Sequence, residues 1–229
     1  MSRKQKNDNI KLIMQINYFG HSCFRLRSSR ASLLMDPFDP KSVGLPMAKT
    51  TADIVTISHG HPDHNDLSRI KNEDVFVIDG PGEYEIKGVS ILGLPAFYDK
   101  EKKMPNIIYL VEMEGIRVCH LGDLGHLLSD KQLDKLNGVD VLMIRVGTNT
   151  EAAGRLTVQE TIKQINQIEP SIVIPMHYKI PEMTNENWAN LATLEEFIKE
   201  YGVEGEKKEK LILSKGSLPE ETQLVILEK

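Results

Sequence analysis

Apolar and β-branched residues recur along the chain in short runs, and turn residues break them at close intervals. Gln15 to Phe19, Phe24 to Arg27 and Ala31 to Met35 come first, and the short turns between them predict an antiparallel meander. A buried strand, Asp53 to Ser58, follows. Val75 to Ile78, Tyr84 to Ile86 and Val89 to Leu92 are next, the last two joined by Lys87-Gly88 as a hairpin turn. Ile107 to Glu112 and Ile116 to His120 predict a second hairpin across Glu114-Gly115. Two strongly apolar strands, Val139 to Val146 and Ser171 to Met176, lie further on, and Leu211 to Ser214 against Gln223 to Leu227 reads as a closing hairpin.

Helical periodicity alternates with these runs. Ser129 with Gln132, Thr157 with Glu160 and Thr193 with Glu196 each match a capping box, in which the first side chain and the fourth satisfy each other's free amides. After Thr157, Val158, Ile162 and Ile165 share a face and Pro170 ends the segment; after Thr193, Leu194, Phe197, Ile198 and Tyr201 do the same, with Gly202 as C-terminal cap. Two β-rich halves with helices outside, without a linker, a repeat or a low-complexity stretch, predict one layered α/β domain. It is expected to span 14–229, after a polar lead-in over 1–13.

Bulk properties narrow the function. A chain of 229 residues, 40% hydrophobic and 27% charged, is long enough for a substantial core. A net charge of -5 supplies no basic field for a phosphate backbone, which disfavours nucleic acid as a partner. The opening MSRKQKNDNIKL has basic residues but no apolar stretch behind them, and no run is long enough to cross a membrane. Cys23 and Cys119 make no disulfide framework and read as buried strand residues, so the cytoplasm is the expected location. Trp188 is expected in the core or at an oligomer interface.

The strongest chemical signal is Ser58-His59-Gly60-His61-Pro62-Asp63-His64. His59 and His61, two apart in an extended segment, can point to one side, and Pro62 bends the chain so that Asp63 and His64 face a neighbouring position. Imidazoles with a carboxylate and no thiolate suit zinc or another borderline divalent ion. Asp123, after a strand and the flexible Gly122, and His177, after Ile172 to Met176, both sit at strand ends, as His59 does. The three segments are therefore expected to converge.

Phe-Gly-His-Ser-Cys-Phe at 19–24, Met-Asp-Pro at 35–37, Gly-Glu-Tyr-Glu-Ile-Lys-Gly from Gly82, His-Leu-Gly-Asp-Leu-Gly-His from His120 and Ile-Pro-Met-His-Tyr from Ile174 complete the pattern. With the histidine run, they resemble the metallo-β-lactamase fold superfamily, in particular its small single-domain metal-dependent hydrolases, related to the ascorbate-phosphate lactonases. The resemblance runs from about Met14 to the C-terminus. It implies an αββα sandwich of two mixed β-sheets with helices on both outer faces and metals at one edge. It implies His59 and His61 on a first metal, Asp63, His64 and His177 on a second, Asp123 bridging both, and Asp36 orienting a histidine ligand. The family also brings a histidine to the first metal from the stretch matching Leu94 to Lys100, where this chain has Tyr98. A phenol, with a pKa of about 10, is a poor substitute. Of the remaining histidines, His21 or His126 is expected to line the pocket, as a supporting donor or a replacement ligand, and Arg145 or Arg155 to hold an anionic substrate group.

The cofactor expected is Zn2+, one ion or two, with Mn2+ or another divalent ion as the alternative. The reaction expected is hydrolysis of an ester, lactone or phosphoester of a small molecule by zinc-bound hydroxide, with Asp63 orienting the water or taking its proton. A phosphodiesterase or ribonuclease, and a degenerate metal-binding protein without turnover, are the competing readings.

Overall fold

The computed structural model describes residues 12–99, 101–149, 155–183 and 188–229. Of the lead-in expected over 1–13, all but the last two positions lie outside the described residues. In chain order the strands are β1 (Met14–Gly20), β2 (Cys23–Arg27), β3 (Ser32–Met35), β4 (Ile54–Thr56), β5 (Phe76–Ile78), β6 (Gly82–Ile86), β7 (Val89–Asp99), β8 (Met104–Met113), β9 (Ile116–His120), β10 (Val141–Arg145), β11 (Ile172–Met176), β12 (Gly205–Lys208), β13 (Leu211–Leu213) and β14 (Gln223–Leu227). The helices are α1 (Pro40–Val43), α2 (Asp130–Lys135), α3 (Val158–Ile168) and α4 (Leu194–Tyr201).

Two mixed sheets form, ordered β13-β1-β2-β3-β4-β5 and β12-β14-β11-β10-β9-β8-β7-β6. Alternation along the strands explains the layers, because successive side chains point to opposite faces. From the first sheet, Ile16, Phe24, Leu26, Leu33, Met35 and Ile54 meet Tyr109, Val111, Val118, Val141, Met143 and Ile174 of the second in the central core. The opposite face of the second sheet, with Leu110, Cys119, Leu142 and Val173, is covered by α2, α3 and α4 through Leu136, Val158, Ile165 and Phe197. The outer face of the first, with Cys23, Leu34 and Val55, is covered by Val43 of α1 and by Phe38, Met183, Trp188 and Leu191. Trp188 is thus a core residue. No described helix is long and apolar enough to cross a membrane.

The turn chemistry behaves as its residues require. Lys87 and Gly88 have φ of 53° and 77°, and Glu114 and Gly115 have 53° and 75°, the paired positive values of tight hairpins whose twist matches their strands. Thr157 and Thr193 each accept an amide and receive the reciprocal glutamate, and Gly202 closes α4 at φ 72°. The closing hairpin does not form. Leu211–Leu213 instead pairs with β1 in the first sheet, while Gln223–Leu227 lies parallel to β11 and β12 in the second.

Strand direction places the site. β3 and β4 are parallel, and β1, two antiparallel steps from β3, runs the same way. β9, β10 and β11 are mutually parallel, and β7 lies two antiparallel steps from β9. His21, Asp36, His59, Tyr98, Asp123, Arg145 and His177 all lie at or just after the C-terminal ends of these strands. Ligands of open α/β sheets gather at such ends.

Candidate metal centre

The buried carboxylate of Asp36 organises the inner wall. Its Oδ1 accepts the Ser58 amide at 2.7 Å, and its Oδ2 accepts the Ser58 hydroxyl at 2.6 Å and His64 Nδ1–H at 2.7 Å. His64 is thereby committed to one orientation, with Nε2 directed at Asp63 Oδ2 (3.3 Å) and Asp123 Oδ1 (3.4 Å). Holding a ligand's second nitrogen in this way fixes its ring and tautomer.

From the other sheet, His177 Nε2 lies 3.3 Å from Asp123 Oδ1 and 3.9 Å from Asp63 Oδ2. The turn that carries Asp123 is held by Asn106, whose Oδ1 accepts the Asp123 amide at 2.9 Å while its Nδ2 donates to Leu121 O. Gly122 has φ 57°, and a Cβ there would stand 2.4 Å from Asn106 Oδ1 and 2.6 Å from Ser58 Cβ, so only glycine fits. His120 ties the sheets together, with Nε2 bonded to Ser22 O and Nδ1 accepting the Gly122 amide.

Five buried atoms of this cluster, His21 Nδ1, His64 Nε2, His177 Nδ1, His177 Nε2 and Asp123 Oδ1, have no hydrogen-bond partner among the described residues. Burying polar atoms without partners costs roughly 1–3 kcal/mol each. The 3.3–3.4 Å between Asp123 Oδ1 and each nitrogen is the edge of a tetrahedron whose centre is about 2.0–2.1 Å from its ligands, the bond length of zinc to nitrogen and oxygen. Ligand atoms of His21, Asp63, His64 and His177 lie within 4.8 Å of one another, and so do those of His59, His64 and Asp123. These residues fit a divalent ion.

Electrostatics agree. Burial lowers the pKa of His177 to about 3 and, with His64 beside it, that of His59 to about 4, so both rings are neutral and ready to ligate near pH 7. Burial opposes charge on Asp63 and Asp123 as well. The neighbouring His64 and His21 nevertheless hold Asp63 well below the carboxylate range, and Arg145, His177 and His64 do so for Asp123. His64 is the reverse case: burial disfavours its cation, but Asp123, Asp63 and Asp36 raise its pKa well above the usual value. These carboxylates therefore favour a proton on His64 where a cation would bind, and an arriving cation competes with it. Metal binding at pH 7 is therefore expected to release about one proton. Calorimetric titrations in buffers of different ionisation heat measure this, and heats independent of buffer would contradict it.

The remaining expected residues are placed unevenly. His61 is exposed, with Nδ1 3.1 Å from His59 Nε2, and it belongs to neither converging group. Tyr98 packs its ring 5.2 Å from that of His59 and 4.8 Å from that of His61, and burial with Asp99 pushes its phenol up, away from an anionic ligand. His126 accepts the Phe97 amide and bonds to Leu127 O, which engages both ring nitrogens with backbone. His21 is inside the cluster, its Nε2 3.0 Å from Asp63 Oδ2. Arg145 is buried with Nη1 3.3 Å from Asp123 Oδ2, and its Nε and Nη2 have no partner among the described residues. Arg155 is exposed, and 150–154 before it lie outside the described residues. Asn106 and Ser58 escape sequence reasoning, since neither type at its position signals a supporting role.

Three site residues, His21, Asp36 and His177, have φ of 56°, 43° and 54°. Such left-handed backbone at non-glycine residues costs energy and gathers at functional sites.

Comparison with known proteins places the chain. A family model described as a beta-lactamase superfamily domain matches residues 15–177. A UPF0173 metal-dependent hydrolase of Thermococcus onnurineus is 26% identical over 240 residues, covering 91% of this chain and 100% of that protein. A solved Thermotoga maritima chain, assigned as a Zn-dependent hydrolase of the metallo-beta-lactamase superfamily, matches with a TM-score of 0.74 at 35% identity, covering 94% of this chain and 98% of that one. Igni18, a metallo hydrolase of Ignicoccus hospitalis, shares the fold at a TM-score of 0.60 and 18% identity, over 95% of this chain and 97% of that one. The chain belongs to the beta-lactamase superfamily and is a metal-dependent hydrolase with the metallo-beta-lactamase fold.

Proposed function

We propose that this hydrolase uses zinc to cleave an ester or lactone bond in a small molecule that carries an anionic group. The carrying observation is the set of buried ligand atoms, His64 Nε2, His177 Nε2 and Asp123 Oδ1, that converge beside Asp63 and have no hydrogen-bond partner among the described residues. The nitrogen and oxygen donor set and the zinc assignment of the Thermotoga maritima relative support that metal. When bound, the ion acts as a Lewis acid toward the scissile group and makes water acidic enough to attack near neutral pH.

The residues divide the remaining work. Asp63, ionised beside the ligand nitrogens of His21 and His64, would orient the attacking water. Asp123 holds the cluster's two halves together, steadied by Arg145. The Nε and Nη2 donors of Arg145, without a partner among the described residues, suit a carboxylate or phosphate on the substrate, and Arg155 lies close enough to influence Arg145 electrostatically. We place the protein in the cytoplasm because Cys23 and Cys119 are buried and unpaired.

The test is a panel of lactones, phosphorylated lactones, phosphodiesters and a β-lactam offered to zinc-loaded protein. Turnover is expected on the lactones, higher where a phosphate or carboxylate is present. Preference for phosphodiesters would replace the bond assignment, and no turnover on any member would favour a metal-binding protein without catalysis.

A further inference from the structure

The buried cluster contains a donor beyond those that the family resemblance supplies. We propose that His21 is itself a metal ligand, so that the inner ion is held by three imidazoles, those of His21, His64 and His177, together with Asp63. The proposal rests on the metal-dependent reading above.

Geometry carries it. Ligand atoms of these four buried residues all lie within 4.8 Å of one another. The His21 ring centroid is 3.9 Å from that of His177 and 5.3 Å from that of His64, so the imidazoles surround one volume. The side chain is held there. His177 N–H donates to His21 O at 2.9 Å, locking the two strand ends together, and the rings of Phe38 and Trp188 stand edge-on at 6.3 and 5.3 Å. His21 also occupies left-handed backbone, at φ 56°, a conformation that its side chain does not require.

His64 makes the extra donor consequential. Its Nδ1 is committed to Asp36, leaving Nε2 as the single nitrogen it can offer, yet that ring belongs to both converging groups. One lone pair binds one ion. With His21 supplying an inner ligand, the inner position reaches four protein groups before Asp123 is counted, which leaves no open coordination place. Exchange of water and substrate then falls to the outer position, beside His59 and the exposed His61. The histidine missing from the outer position, where Tyr98 stands, is therefore not replaced there; the spare imidazole strengthens the inner one.

The test titrates metal-stripped full-length protein with Co2+ alone. Paramagnetically shifted imidazole N–H protons are counted at the first equivalent, and affinity is measured by competition with a chromophoric chelator. Wild type is expected to show three such signals and His21→Asn two, asparagine being chosen because it tolerates positive φ. Affinity for the first equivalent should fall by more than ~100-fold, beyond the roughly 10–100-fold typical of a residue that merely orients a ligand. His59→Ala should keep all three signals. Two signals in wild type would overturn the proposal without any variant, as would an unchanged spectrum in folded His21→Asn. His177→Ala separates the two readings: if it too binds like wild type, the metal centre itself is misassigned; if it alone loses a signal, His21 is not a ligand.

Discussion

An Asp123→Ala protein is expected to lose at least ~10³-fold in kcat/KM on any substrate that the native enzyme turns over, about 4 kcal/mol of transition-state stabilisation. Asp123 Oδ1 stands 3.3–3.4 Å from both His64 and His177, and it joins residues delivered by the two sheets. Removing it also strands the buried guanidinium of Arg145, whose Nη1 pairs with Oδ2. An uncompensated buried charge costs about 3–5 kcal/mol, so part of the loss in the alanine variant could reflect unfolding. Asp123→Asn answers this. It keeps the shape and an oxygen that can accept from Arg145, so it is expected to melt above the alanine variant, and it should still lose activity per folded molecule because the negative charge is gone. A fall of less than tenfold in folded Asp123→Asn would contradict the role given to this carboxylate.

The second large effect concerns a residue placed to touch no ion. Asp36→Ala is expected to weaken metal binding by roughly 10–100-fold, about 1.4–2.7 kcal/mol, because His64 Nδ1 and both Ser58 donors lose their acceptor together. Asp36 is fully buried, so no bulk water stands ready to replace it. Burial opposes its charge, yet His64, His120 and Ser58 keep its pKa below the usual value. Chelator competition on stripped protein measures the change, and unaltered affinity would show that His64 is oriented by something else.

Much of this site was legible because its ligands are adjacent in sequence or follow strands with clear patterns. His59, Asp63 and His64 needed no folding argument, although His61 of the same run lies outside both converging groups, and Asp123 and His177 were recognisable from the apolar runs before them. The less legible features depend on contacts between distant residues. His21 and Asp63 are 42 positions apart, and no spacing rule connects them. Asn106 supports Asp123 from the facing strand, a role that an asparagine in an apolar run does not announce.

The fold shows the same division. Hairpins with glycine in the turn and helices with capping boxes were local signals, and both formed. Leu211 to Ser214 and Gln223 to Leu227 looked like partners because both are apolar and close in sequence, but sheet membership is decided by which core they complete. Leu211 and Leu213 extend the edge beside β1, while β14 fills a parallel place beside β11. β12, with the sequence GEKK, lacks apolar alternation because it is a charged edge strand, a form that discourages further pairing. β7 runs on through Pro95 to Asp99, although proline usually marks a strand's limit, and this extension carries Tyr98 to the site.

The dependence of hydrolysis on an ion held by the His and Asp cluster is the expectation on which the other predictions stand. Its most direct test is one titration: metal-stripped protein receives zinc in steps while bound metal and hydrolysis of a panel substrate are measured together. Negligible activity is expected at zero metal, with a rise in proportion to bound zinc. Full activity in protein stripped of metal would contradict it.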